Sequence, residues 1–351
     1  MLTLTKSGEE TKIALKWVGV SVCTLLVLYF AYKMTIYIKD VLFPSPPPPP
    51  AVAFGKIDVP GFPQNTVSKK FTYSINTLSG QLPTLNYQIK VYRMLSYYPD
   101  LLAIQKTQTK VSSIGFGTNP IQLSNRIYQW SNDPKKSGIS RNIIVDTVNY
   151  NFSINSSFVV DPAVLSGQNL PSISESINLA KDTLSSLNLI PDDLDYSKTK
   201  TITYAIDKNG QLVGTTSFSS AQIIQVNFFQ QDVDKLPVLY DNPSSSTMAF
   251  LVAGGDESQI VSANFVHQSI SGLSSTYPVK TSKQAFDELK KGNAYIAAYF
   301  GDSSNITIRK IYLAYYISSN LQNYLDPVIV FQGDNGFFAY IDAVTDEWIS
   351  N

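Results

Sequence analysis

The longest apolar run in the chain, Trp17 to Tyr32, carries no charge, and Lys16 and Lys33 flank it. Met34, Ile36, Tyr37 and Ile38 prolong it to roughly the 20 residues a helix needs to cross a bilayer core. Lys33 can reach the headgroups by extending its stem along the apolar surface. Trp17, Tyr29, Tyr32 and Tyr37 lie near the ends, where aromatic rings favour the interface, while Leu25 and Leu26 lie mid-span. The pattern predicts a membrane-spanning helix over 17–38 behind a polar tail, 1–16. Six prolines between Pro44 and Pro50 follow. They favour polyproline II and make a stiff spacer within a linker over 39–68. A PxxP-type recognition segment is the alternative reading of that block.

Beyond the linker the pattern alternates between period two and period 3.6. Phe71 to Ile75 reads as a strand, Ser79-Gly80 as a turn, and Tyr87 to Met94 as a second strand. A helix is expected from Pro99-Asp100 to Ile114, stopped by Gly115 and Gly117. Arg126–Trp130 and Ile143–Ile154 read as two arms of a hairpin, with Ile144, Val148, Tyr150, Phe152 and Ile154 on one face. Ser172-Ile173-Ser174-Glu175 is a capping box opening a helix with Ile173, Ile177, Ala180, Leu184 and Leu187 at helical spacing, ended by Pro191. Strands are expected at Thr201–Ile206 and Gln222–Phe229, with further strand sequence from Met248 to Ser269. A second capping box, Thr281 to Gln284, opens a helix burying Ala285, Phe286 and Leu289 and stopping at Gly292. Tyr295–Phe300, Thr307–Ile317 and Val328–Ile341 are expected as strands, the last folded at Asp334-Asn335-Gly336.

A helix, a Gly or Pro stop and an antiparallel hairpin recur three times in this order. The expected fold class is therefore α+β: an N-terminal transmembrane helix, then antiparallel sheets, each packed by short helices on one face. Two extracytoplasmic domains are expected, 69–168 and 169–351.

The apolar run has two rivals to a retained anchor. One is a cleaved signal peptide, for which Ala51-Val52-Ala53 offers an A-x-A triplet, far downstream of the run and beyond the prolines. The other is a buried helix of a soluble protein. Lysines do not set the orientation, since Lys6, Lys12 and Lys16 on one side balance Lys33, Lys39 and Lys56 on the other. The short tail and the long domain favour a cytoplasmic N-terminus and an exported C-terminal domain.

Charge adds an exclusion. Lys and Arg equal Asp and Glu at 27 each, so no basic field points to nucleic acid. The single cysteine, Cys23, falls inside the apolar run, leaving the exported part without disulfides or thiolate metal sites. Asn151, Asn155 and Asn305 each begin an N-glycosylation-type triplet, which an Asn- and Ser-rich chain also produces by chance.

Little in the pattern points to catalysis. His267 is the single histidine, expected on a strand at an edge or surface, and no G-x-S-x-G elbow or S-x-x-K motif is present. Asp192-Asp193-Leu194-Asp195 lacks the glycine turn and distal glutamate of a calcium loop, so a solvated loop is expected. Gly115-Phe116-Gly117 and Gly254-Gly255 are too short for phosphate-binding fingerprints. No catalytic, cofactor or metal residue is assigned. Tyr97-Tyr98 and Tyr315-Tyr316 are the candidate binding surface, with the competing expectation that one ring of each pair packs into a core.

Ala285-Phe286-Asp287-Glu288-Leu289-Lys290-Lys291-Gly292, Ile311 to Tyr316, Tyr324 to Gly333 and Phe338 to Val344 occur in an order that resembles the YycI/YycH-type extracytoplasmic regulators of bacterial sensor kinases and, more loosely, PepSY-like domains. The proline block with Ala51 to Gly55 is similar to uncharacterised single-pass membrane proteins of candidate-phylum bacteria. The resemblance implies a non-enzymatic α+β module that regulates a membrane protein. Together with the anchor it gives the expectation of a bacterial, single-pass membrane protein whose partners are the bilayer and a membrane or envelope protein. An envelope hydrolase or transferase working through carboxylates, and a purely structural spacer, are the alternatives.

Overall fold

A computed structural model of the chain describes residues 4–42, 48–65, 69–133 and 139–350. Two compact units form, Met1–Pro49 and Pro50–Asn351. The first is a single helix, Leu4–Leu42. Its stretch Thr11–Lys39 is long and apolar enough to cross a membrane, and none of it is buried. Trp17, Leu25, Leu26 and Tyr32 are all exposed on its surface. The helix exceeds the expected 17–38 span at both ends. The first part of the proline block, Pro44–Pro47, lies outside the described residues.

The second unit carries its strands in two sheets. In chain order they are β1 (Thr72–Ile75), β2 (Gln88–Met94), β3 (Ile121–Gln122), β4 (Ile127–Ser131), β5 (Arg141–Asp146) and β6 (Phe152–Ser156). Next come β7 (Lys200–Ile206), β8 (Leu212–Gly214), β9 (Ile223–Phe228), β10 (Val238–Leu239), β11 (Met248–Ala253) and β12 (Gln259–Phe265). The last are β13 (Ile270–Pro278), β14 (Tyr295–Ala298), β15 (Asn305–Tyr316), β16 (Tyr324–Gly333) and β17 (Phe338–Asp342). Nine strands form a sheet in the order β3-β4-β5-β6-β12-β11-β9-β7-β8. The eight-stranded sheet has the path β1-β15-β16-β17-β14, with β10 on β15 and β2 on β13 and β16. Pairing is antiparallel except where β1 and β10 run parallel to β15. The class is α+β, as expected.

The sheets do not divide at the expected boundary between residues 168 and 169, because each takes strands from both sides of it. The recurring helix-and-hairpin unit dissolves for the same reason: its first two copies share the nine-stranded sheet. Likewise β1 and β2, on either side of Ser79-Gly80, pair with distant strands and not with each other. Strand partners chosen across the whole chain leave no trace in local periodicity.

Short helices cover one face of each sheet. Ile173–Ser186 opens with its capping box, Ser172 Oγ accepting from Glu175 N and Glu175 Oε2 from Ser172 N. It buries Ala180 and Leu184 with Leu187 beyond its end, on the nine-stranded sheet with Phe228, Phe250 and Phe265. Its start is more open than the spacing suggested: Ile173 is exposed and Ser176 is buried instead. Ser172→Ala removes the cap, so unfolding monitored by circular dichroism should show a loss of about 1 kcal/mol. An unchanged midpoint would mean that packing alone holds this helix. Ser282–Lys291 is capped by Thr281 and Gln284, ends at Gly292 with a left-handed φ of 85°, and packs Ala285 and Leu289 against the eight-stranded sheet. The third helix, Ala103–Ser112, is shorter than expected and is tied to the sheet by Trp130 Nε1 donating to Gln108 Oε1 at 2.6 Å.

The expected arm Ile143–Ile154 is two strands. Asp146 and Asn149 accept from Val148 N and Asn151 N, and Tyr150 takes a φ of 61°, which turns the chain between β5 and β6. The buried face is therefore Ile143, Val145, Phe152 and Ile154, with Ile144 on the other side. A misplaced turn shifts the register by one, and one residue reverses every side chain of a strand.

The expected linker is also much shorter. Ile57 is buried, bridges Ile349 and bonds Trp348 O, while Val52 N and Ala53 N donate to Thr276 O and Ser275 Oγ. Phe62 packs at 4.8 Å from the ring of Tyr316. Residues 51–65 thus belong to the folded unit and close the second face of the eight-stranded sheet.

Candidate functional site

Tyr315 and Tyr316, expected on a binding surface, are both fully buried. β15 is central and covered on both faces, Tyr315 entering the core beneath Ser282–Lys291 and Tyr316 the cluster under Phe62. Their hydroxyls are spent internally, Tyr315 donating to Lys90 O at 2.8 Å and Tyr316 to Asp241. Burial pushes both phenols well above their ordinary range. A strand buried on both faces sends neighbouring residues into opposite cores, so neither tyrosine can reach a ligand.

The other pair behaves differently. Tyr98 is 81% exposed, in a stretch where Leu95, Leu101 and Leu102 are exposed too. Tyr97 lines a polar cleft of about 570 Å³ where strand β2 leaves the eight-stranded sheet. Lys56, Arg93 and Arg126 converge there from three separate parts of the chain, with Asp58 and Asn323 on the wall. Arg126 is held by Asp146 at 3.0 Å, and Asp58 accepts from Asn323 Nδ2 at 2.9 Å. Arg93 lies over the Phe54 ring at 5.8 Å, a cation–π placement that leaves its hydrogen-bonding edge free of any carboxylate. Among the described residues neither Lys56 nor Arg93 forms an ion pair. The cleft therefore carries a positive excess in a chain of zero net charge.

A chain of amides anchors the cleft floor. Gln322 N donates to Gln268 Oε1 at 3.1 Å, and Gln322 Nε2 donates to Tyr316 O and Tyr324 O. Gln230 Nε2 donates to Gln268 O and to Asp193 Oδ2, the latter at 2.7 Å. Asp193 Oδ1 lies 2.8 Å from His267 Nε2. This series links the end of β12 to the β15–β16 connection, so it joins the two sheets and sets the cleft's width.

Two expectations change here. His267 follows β12, with its side chain only 11% exposed, and is neither a surface nor an edge-strand residue. Asp193 is not merely solvated: burial pushes its carboxyl up, but the contacts with His267 and Gln230 outweigh this and hold it below its ordinary value. The His–Asp pair resembles a base with its orienting carboxylate, yet no Ser, Thr or Cys side chain among the described residues bonds the imidazole. Among those residues no three His, Cys, Asp or Glu side chains converge as metal ligands. What the cleft offers is recognition: one cation on a strand and two on the connections beside it, a tyrosine, and amides whose partners are already set. Lys56, Arg93 and Arg126 were missed in the sequence because they are scattered singly and meet only through the fold.

The molecule is thus an α+β protein preceded by a helix able to span a membrane. It is similar to an uncharacterized protein from Eubacterium rectale whose crystal structure is known, at 15% identity and a TM-score of 0.39 over 81% of this chain and 92% of that one. It is also similar to the Bacillus megaterium YpeB C-terminal domain, at 13% identity and a TM-score of 0.35 over 72% of this chain and 95% of that one. Neither score defines a shared fold. No family model and no curated protein matches the chain.

Proposed function

We propose that the chain is a single-pass bacterial membrane protein, N-terminus in the cytoplasm, whose extracytoplasmic unit binds an anionic group on a membrane or envelope protein. The observation that carries this is the convergence of Lys56, Arg93 and Arg126 beside Tyr97 in one polar cleft. Arg93 on β2 over the Phe54 ring and Arg126 held by Asp146 suit carboxylate recognition, because their placement precedes the ligand. A retained anchor is supported by Ala51-Val52-Ala53: its backbone is hydrogen-bonded into the edge of β13. The order of the C-terminal motifs, similar to that of YycI/YycH-type regulators, supports a regulatory partner. The reading is of a binding module: Lys56, Arg93 and Arg126 face the cleft beside Tyr97, and the Asp58 carboxylate on its wall already accepts from Asn323 Nδ2 at 2.9 Å.

A photo-crosslinker at Tyr97 in living cells should capture one defined protein. Arg93→Glu with Arg126→Glu should cut that capture at least tenfold while the domain stays folded. Crosslinking no stronger than in an unirradiated sample, or capture indifferent to the two reversals, sinks the proposal.

A further inference from the structure

The nine-stranded sheet carries a second concave site, sharing no lining residue with the cleft described above. It is about 770 Å³ and lies between the helix Ile173–Ser186, the start of β5 and the hairpin joining β11 to β12. Its walls mix apolar side chains, Ile114, Phe116, Ile154 and Leu179 among them, with polar ones such as Thr183, Gln259 and Asp161, whose carboxylate already accepts from Ala163 N and Val164 N. Ligand sites have about this size, roughly 300–1,000 Å³, with converging polar groups to fix orientation.

Arg141 is the cation among its lining residues. It occupies the strand face that Ile143 and Val145 use to enter the core, a position where an apolar side chain is the ordinary choice. One guanidinium nitrogen, Nη1, donates to Ile260 O at 3.0 Å, and the Phe116 ring lies 5.8 Å away. Nε is buried and has no hydrogen-bond partner among the described residues. No carboxylate among the described residues pairs with Arg141. Burial pulls its guanidinium below the ordinary value, as expected for a cation without a counter-charge. Arg141 is part-exposed toward the cleft, and an anion entering there would satisfy the hydrogen its Nε leaves unpaired.

The mouth has the opposite charge. Asp256 and Glu257 are exposed on the hairpin between β11 and β12. That hairpin is clamped: Gly255 N donates to Gln168 O at 2.8 Å and Asn169 Nδ2 donates to Gly255 O at 2.9 Å. Gly254 approaches so closely that a Cβ there would lie 2.1 Å from Gln168 O. The acidic rim is therefore fixed in place. It repels polyanions and favours a ligand that brings one carboxylate inward and a neutral or cationic end outward.

We infer that this cleft binds a peptide or amino-acid-like ligand, its single carboxylate on Arg141, its apolar side chains against Ile114, Ile154 and Leu179, and its amine toward Asp256 and Glu257. The experiment uses the full chain in lipid nanodiscs with labelled isoleucine methyl groups, observed by NMR. Ile114, Ile139, Ile154 and Ile260 all line the site and report directly. The probes are leucyl-leucine and its C-terminal amide. The dipeptide should shift these methyls saturably, and the amide should bind at least tenfold more weakly. Arg141→Met should remove the preference for the acid. Thr183→Met, which fills the cleft from the helix and leaves Arg141 untouched, should block both probes without changing the unfolding temperature. Equal binding of acid and amide, unaltered binding by Thr183→Met, or no saturable shift up to the dipeptide's solubility would each overturn the inference.

Discussion

Replacing Asp342 by asparagine is expected to stabilise the domain fully at pH 8 and by only a fraction of that gain at pH 5. Burial pushes the Asp342 carboxyl up to about 7, against the opposing pull of the Val344 amide and Lys280, with Asp346 and Glu288 adding to the rise. Asp326, on the neighbouring strand, is more deeply buried, and burial with the charges of Asp342 and Asp58 drives it well above its ordinary range. Both folded carboxyls thus hold their protons to higher pH than the unfolded chain, where aspartate titrates near ~3.9. Through the interval between those values the native state carries more protons, so stability falls as pH rises from about 4 to about 7. A three-unit shift corresponds to about 4 kcal/mol at 1.36 kcal/mol per unit. The part-exposed edge of Asp342 brings the expected gain down to about 2–4 kcal/mol. Asparagine keeps the oxygen that accepts from Val344 N at 2.9 Å. The test is the difference in unfolding temperature between variant and parent at pH 5 and pH 8, with the full chain in nanodiscs. Lys280 lies 2.8 Å from Asp346 and 3.3 Å from Glu288, so it is shared and cannot neutralise Asp342 alone. An equal shift at both pH values would show that Asp342 is ionised throughout.

Leu26→Arg is expected to weaken membrane association strongly. Leu26 lies mid-way along Thr11–Lys39 and is exposed on the helix surface. An arginine at the centre of a spanning helix costs about 2.5–3.5 kcal/mol on insertion scales. Leu26→Val is the neutral control. Carbonate extraction should release a large share of the arginine variant and none of the valine variant. Protease added to intact spheroplasts should cut near the proline block, which lies between the two compact units, and leave a small membrane-bound stub. Release of the parent by carbonate would rule out a spanning helix. Protection of the domain until lysis would reverse the proposed orientation.

The parts of this molecule readable from the sequence are those governed by neighbours within a few residues. Trp17 to Ile38 declares a helix able to span a bilayer, because every backbone group can bond within the segment. Ser172 with Glu175 and Thr281 with Gln284 place two helix starts, since a cap is a three-residue hydrogen-bond pattern. Asn335 and Gly336, both with left-handed φ, mark the last hairpin by their own conformational freedom.

Everything that depends on which strands meet was decided by the tertiary structure. Period two says that Tyr315 and Tyr316 face opposite ways, but only the lead-in through Phe62 determines that both faces are closed. The turn inside Ile143–Ile154 escaped because Asp146 and Asn149 act through side-chain bonds to the backbone that hydrophobic periodicity does not register. Lys56, Arg93 and Arg126 look like ordinary surface cations in the sequence and become a site only when β2, the lead-in and the β3–β4 connection come together. Arg141 gives the sharpest contrast: it stands where an alternating strand calls for an apolar residue, and only the tertiary structure puts it in a cleft with its Nε buried and without a partner among the described residues.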